Sequence, residues 1–234
     1  MRHLTAALMR LALPCDEKTL EQFETYRRRI LEWNRSVNLT AIKDEEAFEI
    51  KHFVDSLLIG EGTEMDNVKK VIDVGTGAGF PGIPLAIVYP DKKFTLMDSL
   101  GKRMKIVREV AEEIGLSNVE VIHARAEDLA KKKEHREQYD MCVSRAVANL
   151  SVLSEYCLPF VRPGGWFAPY KTAAAREEII ESAAALKLLG GKLVSQTSFQ
   201  EEGLDHLILW IKKTGHTPAK YPRKAGTPSK EPLK

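Results

Sequence analysis

The stretch Val71-Ile-Asp-Val-Gly75-Thr-Gly77-Ala-Gly79-Phe-Pro81-Gly82-Ile-Pro84-Leu-Ala86 begins as an apolar strand, passes through a glycine-rich turn and enters an apolar helix. Gly75, Gly77 and Gly79 let the backbone bend tightly and approach a ligand, while the free amides of the following helix start face whatever lies above the strand ends. Pro81 and Pro84 suit a first helical turn, where a missing N–H costs little. The string Gly77-x-Gly79-x-x-Gly82 also matches the dinucleotide fingerprint, so a nicotinamide- or flavin-dependent oxidoreductase has to be weighed. In that fingerprint the first glycine closes the strand directly. Here Gly75 does so, one residue after an acid-containing apolar run in which Asp73 is the only charge. A buried carboxylate needs a partner. The α-ammonium of S-adenosylmethionine is one such partner and loop amides are another, whereas a diphosphate would be repelled.

Phe94-Thr-Leu-Met-Asp98 reads as a second strand with an acid at its carboxyl end. A carboxylate there can accept both hydroxyls of a ribose, and it can equally cap the helix that begins near Lys102. Val119–Ala124 is a third strand, followed by Arg125-Ala-Glu-Asp128. Ala126 and Glu127 are candidates for the adenine edge, and an acidic helix start that complements the helix dipole accounts for the segment equally well. Tyr139–Ala146 and Gly165–Lys171 read as a fourth and fifth strand. Between them and the earlier strands lie helical patterns such as Lys102–Ile114, with Met104, Val107, Ala111 and Ile114 at helical spacing. After a helix over about Ala174–Leu189, Leu193–Phe199 and His206–Ile211 form an expected antiparallel hairpin around the turn Gln200–Asp205. The fold class expected is α/β: a Rossmann-like, mostly parallel sheet ending in an antiparallel hairpin, as in class I S-adenosylmethionine-dependent methyltransferases, with an N-terminal helical extension.

Two helices make up that extension. About Asp16–Arg35 places Leu20, Phe23, Tyr26, Ile30 and Trp33 on one face behind a cap at Asp16, with Arg27-Arg-Arg29 on the other, where a solvated face beside Glu24 and Glu32 is the simpler reading than an RNA contact. About Asp44–Ile59 buries Ala47, Ile50, Phe53, Val54 and Leu57 and carries His52, for which a structural hydrogen bond is the simpler role than a catalytic base. The expected divisions are 1–66 for the extension, 67–213 for the cofactor-binding domain and 214–234 for a basic, proline-rich C-terminal segment.

The 234 residues and 44% hydrophobic content suffice for a substantial core. No apolar run approaches the roughly 18 residues of a membrane span, and the first ten residues are too interrupted for a secretory signal, so a cytoplasmic location is expected. Cys15, Cys142 and Cys157 lack metal spacing and read as reduced thiols. The net charge of +2 hides an uneven distribution: the last 23 residues hold seven lysines and arginines against the single acid Glu231. Such a terminus either grips phosphate locally or forms a solubilising tail. In the first case Tyr221 stacks on a base and Arg223 or Lys224 pairs with phosphate.

Several pieces together resemble a known family, the bacterial small-subunit ribosomal RNA guanine-N7 methyltransferases, RsmG, also called glucose-inhibited division protein B. They are Asn38-Leu-Thr40, His52-Phe-Val-Asp-Ser-Leu57, Asp73 to Pro84, Leu96-Met-Asp-Ser-Leu-Gly-Lys-Arg103, Ser144-Arg-Ala146 and Tyr221-Pro-Arg223. The resemblance spans nearly the whole chain. It implies S-adenosyl-L-methionine as cofactor, 16S ribosomal RNA or the small subunit as partner, and Gly75, Phe80, Ala126, Glu127 and Arg145 at cofactor positions; a monomer is the default state.

Absences narrow the acceptor. The Asn/Asp-Pro-Pro-aromatic turn that holds an exocyclic adenine amine is replaced by Ser144-Arg-Ala-Val-Ala-Asn149, and no cysteine has the setting of a pyrimidine-C5 nucleophile. Lys171 keeps a ribose-hydroxyl reading open. Guanine N7 carries an in-plane lone pair and no proton, so positioning and charge stabilisation suffice without a general base. The cofactor set expected is Asp73, Gly75, Gly77, Gly79, Phe80, Asp98, Ala126, Glu127 and Arg145. Asn38, Lys171, Tyr221, Arg223 and Lys224 are RNA-contact candidates, and Arg145 and Lys171 are candidates beside the reacting atoms. Arg145 has four possible partners: the cofactor carboxylate, an RNA phosphate, the guanine edge, or an acid within the fold.

Overall fold

The computed structural model describes residues 1–145, 148–172, 175–198, 204 and 206–234. In chain order the helices are α1 (Arg2–Arg10), α2 (Glu17–Asn34), α3 (Glu45–Phe48), α4 (Asp55–Leu57), α5 (Gly82–Val88), α6 (Gly101–Glu113), α7 (Ala126–Leu129), α8 (Leu150–Cys157), α9 (Arg176–Glu181), α10 (Ala183–Leu188) and α11 (Thr227–Lys230). The strands are β1 (Lys70–Val74), β2 (Lys93–Asp98), β3 (Val119–His123), β4 (Tyr139–Ser144), β5 (Val161–Thr172), β6 (Gly191–Ser198) and β7 (His206–Lys213). They form one sheet of order β3-β2-β1-β4-β5-β7-β6. The first five run parallel, and β7 pairs antiparallel with both β5 and β6. The expected turn at Gln200–Asp205 falls, apart from Leu204, outside the described residues, as do Ala146, Ala174 and Phe199 at the ends of expected elements.

The sheet divides its side chains by the two-residue period of a strand. Val71, Phe94, Leu96, Met141, Val143 and Tyr170 face one core, with α2, α5 and α6. Ile72, Val74, Met97, Cys142, Phe167 and Leu209 face the other, with α8 and α10. Because β1 to β5 are parallel, Val74, Asp98, His123, Ser144 and Thr172 all end at one edge. β7 starts at that edge, with His206 opposite Thr172.

The N-terminal extension belongs to the first core. Phe23, Tyr26 and Ile30 of α2 are fully buried, and the Asp16 side chain caps the helix by accepting from the Thr19 amide at 2.8 Å. The arginines of α2 are a salt-bridged face: Arg27 pairs with Glu24 and Glu45, and Arg28 and Arg29 with Glu32 and Glu113. Helix α1 is an addition to the expected elements. It buries Leu4, Ala7 and Leu8, and its Leu4 amide donates to the buried Glu49 carboxylate at 2.7 Å. The helix expected over Asp44–Ile59 is not regular: a π-helical turn over Glu49–Val54 separates α3 from α4. The wider turn rotates the buried face, so Phe48 and Glu49 are buried where Ala47 and Ile50 were expected. The helix expected near Ala174–Leu189 is broken into α9 and α10 at Ser182, whose hydroxyl donates to the Glu178 carbonyl.

The C-terminal segment 214–234 is a folded strap, not a loose tail. Tyr221, Pro222 and Pro228 are buried, and Arg136 donates to the carbonyls of Thr217 and Tyr221 at 2.8 and 2.9 Å. Cys15, Cys142 and Cys157 are free thiols. No described helix is long and apolar enough to cross a membrane.

Candidate functional site

The loop after β1 is held by its own acid. Asp73 is fully buried, and its Oδ2 accepts from the Thr76 hydroxyl at 2.6 Å and the Gly82 amide at 2.9 Å. A Cβ at position 82 would lie 2.8 Å from that oxygen, so glycine is required for the close approach. Among the described residues the buried Asp73 Oδ1 has no hydrogen-bond partner. Burial pushes the carboxyl up to about 7, against the lowering by Thr76 and Gly82. A buried carboxyl oxygen in this state can take a cationic or hydrogen-bond-donating partner.

Asp98 closes the far side of the same loop. Its Oδ2 accepts from the Gly77 amide at 3.1 Å and its Oδ1 from the Leu100 amide at 2.9 Å, just before α6. Asp98 thus holds the chain just before the helix without capping it, and each oxygen keeps a second lone pair able to accept from a hydroxyl. Gly77 has φ +61°, and a Cβ built there would meet nothing within 4 Å, so the loop is open on its outer side. Val74, Gly75, Asp98, Ala126, Glu127 and Tyr156 are among the residues lining a cavity of about 240 Å³ at the carboxyl ends of β1 to β3. A larger cleft of about 740 Å³ lies at the amino ends of the strands, around Lys70, Lys93 and Asn118. In an open α/β sheet ligands bind at the carboxyl edge, so the smaller cavity is the candidate.

Phe80 is buried in an aromatic cluster with Tyr26, Phe48, Phe53 and His52, the last stacked on it at 4.3 Å between centroids. Gly79 sits against the extension too: the Tyr26 hydroxyl donates to the Ala78 carbonyl at 3.0 Å. His52 makes the structural bond expected of it, with Nε2 2.7 Å from the Thr40 hydroxyl. Burial, reinforced by the nearby Arg145 charge, lowers its pKa to about 3.

Arg145, at the end of β4, takes the internal option among its four. Its Nη1 donates to Asp55 Oδ2 at 2.6 Å and to the Lys51 carbonyl at 3.1 Å, Nη2 lies 3.2 Å from His52 Nδ1, and the guanidinium carbon is 5.1 Å from the Phe80 ring centre. Asp55 is fully buried, and its other oxygen meets His206 Nδ1 at 2.5 Å. A single acid thus ties the extension to β4 and β7 at the site's edge. Asp55 and His206 were not singled out in the sequence as partners of Arg145. Tyr156 was not singled out at all.

The RNA candidates separate. Asn38 and Lys224 are exposed. Lys171 is buried and committed: its Nζ donates to the Ala148 carbonyl at 2.5 Å and pairs with Glu178 at 2.6 Å, which removes it as an open cation or base. Tyr221 is buried in the second core and has no free ring face of the kind base stacking requires. Arg223 is engaged by the fully buried Glu155 through Nε and Nη2 at 3.0 and 2.7 Å, an internal ion pair.

The profile of GidB, described as rRNA small subunit methyltransferase G, matches residues 19–208. The chain belongs to this family. It is 48% identical over 96% of its length to the ribosomal RNA small subunit methyltransferase G of Alkaliphilus metalliredigens, covering 95% of that protein. It is 47% identical over 99% of its length to that of Clostridium tetani, covering 98%. Among solved structures it is similar to a SAM-dependent methyltransferase from Aquifex aeolicus, with TM-score 0.54 and 20% identity over 70% of this chain and 92% of the other. It is also similar to M. jannaschii TYW2 in complex with AdoMet, with TM-score 0.55 and 17% identity over 74% and 79%. The family's fold is therefore the Rossmann-like class I methyltransferase fold, as the strand pattern implied, and not that of a nicotinamide oxidoreductase.

Proposed function

We propose that the protein transfers the methyl group of S-adenosyl-L-methionine to N7 of a guanine in small-subunit ribosomal RNA. The observation that carries this reading is the buried Asp73, with Oδ1 unpartnered beside an open glycine loop. Asp73 would take the cofactor's α-ammonium, Gly75, Gly77 and Gly79 its methionine end, Asp98 its ribose and Ala126 with Glu127 its adenine. Phe80 supports the loop from behind. The cofactor supplies a methyl group on a positively charged sulfur. The chain's own part is then to present the purine nitrogen in line with that carbon and to keep water out. Guanine N7 needs no deprotonation, and this suits a site in which Lys171 is paired and His52 is held neutral. Arg145, braced by Asp55, adds fixed positive potential at the edge where the acceptor enters.

In this reading residues 67–213 hold the cofactor, 1–66 shape the acceptor side, and 214–234 brace the cavity. Exposed Asn38 and Lys224 touch RNA, and the enzyme works as a cytoplasmic monomer. Incubation with tritiated S-adenosylmethionine and ribosomal RNA from cells lacking the protein tests the reading. Label recovered as 7-methylguanosine in 16S RNA supports it; label in another RNA, on another atom, or none at all contradicts it.

A further inference from the structure

The C-terminal strap touches the wall of the proposed cofactor cavity at two places. The Gly226 amide donates to Glu127 Oε1 at 3.0 Å, and the Tyr156 hydroxyl meets the Ser229 hydroxyl at 2.8 Å. Glu127 and Tyr156 both line the cavity, one from α7 and one from α8. Three residues before the first of these contacts the strap is pinned to α8 by Arg223. Its amide and Nε reach Glu155 Oε1 at 2.8 and 3.0 Å, its Nη2 reaches Oε2 at 2.7 Å, and Nη2 also donates to the Glu231 carbonyl at 2.7 Å. Glu155 is fully buried, so this forked pair has one defined geometry and Glu155 has no solvent to fall back on. The Ser151 hydroxyl, one helical turn earlier, bonds the Leu233 carbonyl and holds the strap's far end.

We infer that Arg223 and its Glu155 partner are positioning residues for cofactor binding: the strap they anchor fixes Glu127 and Tyr156, and Tyr156 is a further residue of the adenine-side wall. The inference rests on the proposed cofactor site and deepens it. Two consequences follow from linkage. Loosening the strap weakens cofactor binding, and cofactor binding tightens the strap by the same free energy.

The test pairs calorimetry with hydrogen exchange, using S-adenosylhomocysteine as the probe. Arg223→Ala, measured well below its melting temperature, should raise the S-adenosylhomocysteine Kd by about fivefold or more, the lower end of typical site-to-site coupling. Tyr156→Ala should do the same without disturbing the buried Glu155. In the wild-type chain, S-adenosylhomocysteine should slow amide exchange in the segment 221–231. A folded Arg223→Ala variant with wild-type Kd, or a wild-type strap whose exchange ignores the ligand, overturns the inference while leaving the cofactor site intact. A raised KM for RNA with unchanged cofactor Kd also overturns it and returns Arg223 to the RNA. Should Arg223→Ala fail to fold, the exchange measurement on the wild type decides. Absence of any S-adenosylhomocysteine binding by the wild type would instead overturn the cofactor site, and the inference with it.

Discussion

Replacing Asp73 by Asn isolates the electrostatic cost built into the cofactor loop. The wild-type carboxyl is pushed up to about 7 by burial, while in the unfolded chain it titrates near the ordinary aspartate value of about 3.9. Between those values the folded protein holds a proton that the unfolded chain has released. Stability on this group's account therefore falls as pH rises through the window and levels off above the folded value. Integrated from about pH 5 to about pH 8, the loss is about 2.5 kcal/mol, and the Asn variant, with nothing to ionise, escapes it. Urea unfolding of both proteins across that range should give a stability difference that shifts in favour of the variant by about this amount. The comparison cancels most pH-dependent contributions from the other groups. It also separates the slope from any constant penalty of placing an amide NH2 at the orphaned Oδ1 position. A difference independent of pH would refute the claim that the acid is strained in the ligand-free fold. The same acid should make binding proton-linked. A cationic partner stabilises the ionised form, so S-adenosylmethionine binding near pH 6 should release up to about one proton in the wild type and none in the variant. That difference is read from calorimetry in buffers of different ionisation enthalpy.

Other positions give equally direct outcomes. Gly82→Ala would set a Cβ 2.8 Å from Asp73 Oδ2 and 2.7 Å from Leu96 Cγ; a loss of about 1–3 kcal/mol in thermal unfolding, with weakened cofactor binding, is expected. Arg145→Ala leaves the fully buried Asp55 with His206 as its remaining ion-pair partner and should cost about 3 kcal/mol in urea unfolding, whereas adding Asp55→Asn to it should recover part of that loss. Methyl transfer by Arg145→Ala should fall under conditions where the variant is still folded, and full activity there would remove it from the site. Lys171→Met should leave RNA affinity within about twofold in filter binding, since its charge is spent on Glu178.

The cofactor side of this protein was legible because its determinants are local. A charged residue inside an apolar strand, glycines at fixed offsets and an acid at the next strand's end are all consequences of backbone geometry within about 30 residues. The terminal hairpin was legible as two short strand-like runs on either side of an acidic, glycine-containing turn. What escaped was tertiary. Arg145 finds Asp55 90 positions upstream, and Arg223 finds Glu155 68 positions upstream; no local pattern distinguishes a cation awaiting phosphate from one already matched by a buried acid. Tyr221 and Lys171 were misread for the same reason: aromatic and basic residues near an expected site look like contacts until burial is known. The π-helical turn at Glu49–Val54 accompanies the packing of Phe48 and Phe53 against Phe80, contacts that the helix's own spacing does not reveal.

The most direct measurement is a crystal structure with S-adenosylhomocysteine. The ligand's amino group should lie within hydrogen-bonding distance of Asp73 Oδ1, about 2.7–3.2 Å or through one water, with adenine beside Ala126 and Glu127. A ligand seated in the cleft at the amino ends of the strands, or an Asp73 left unpartnered with ligand bound, would contradict the account.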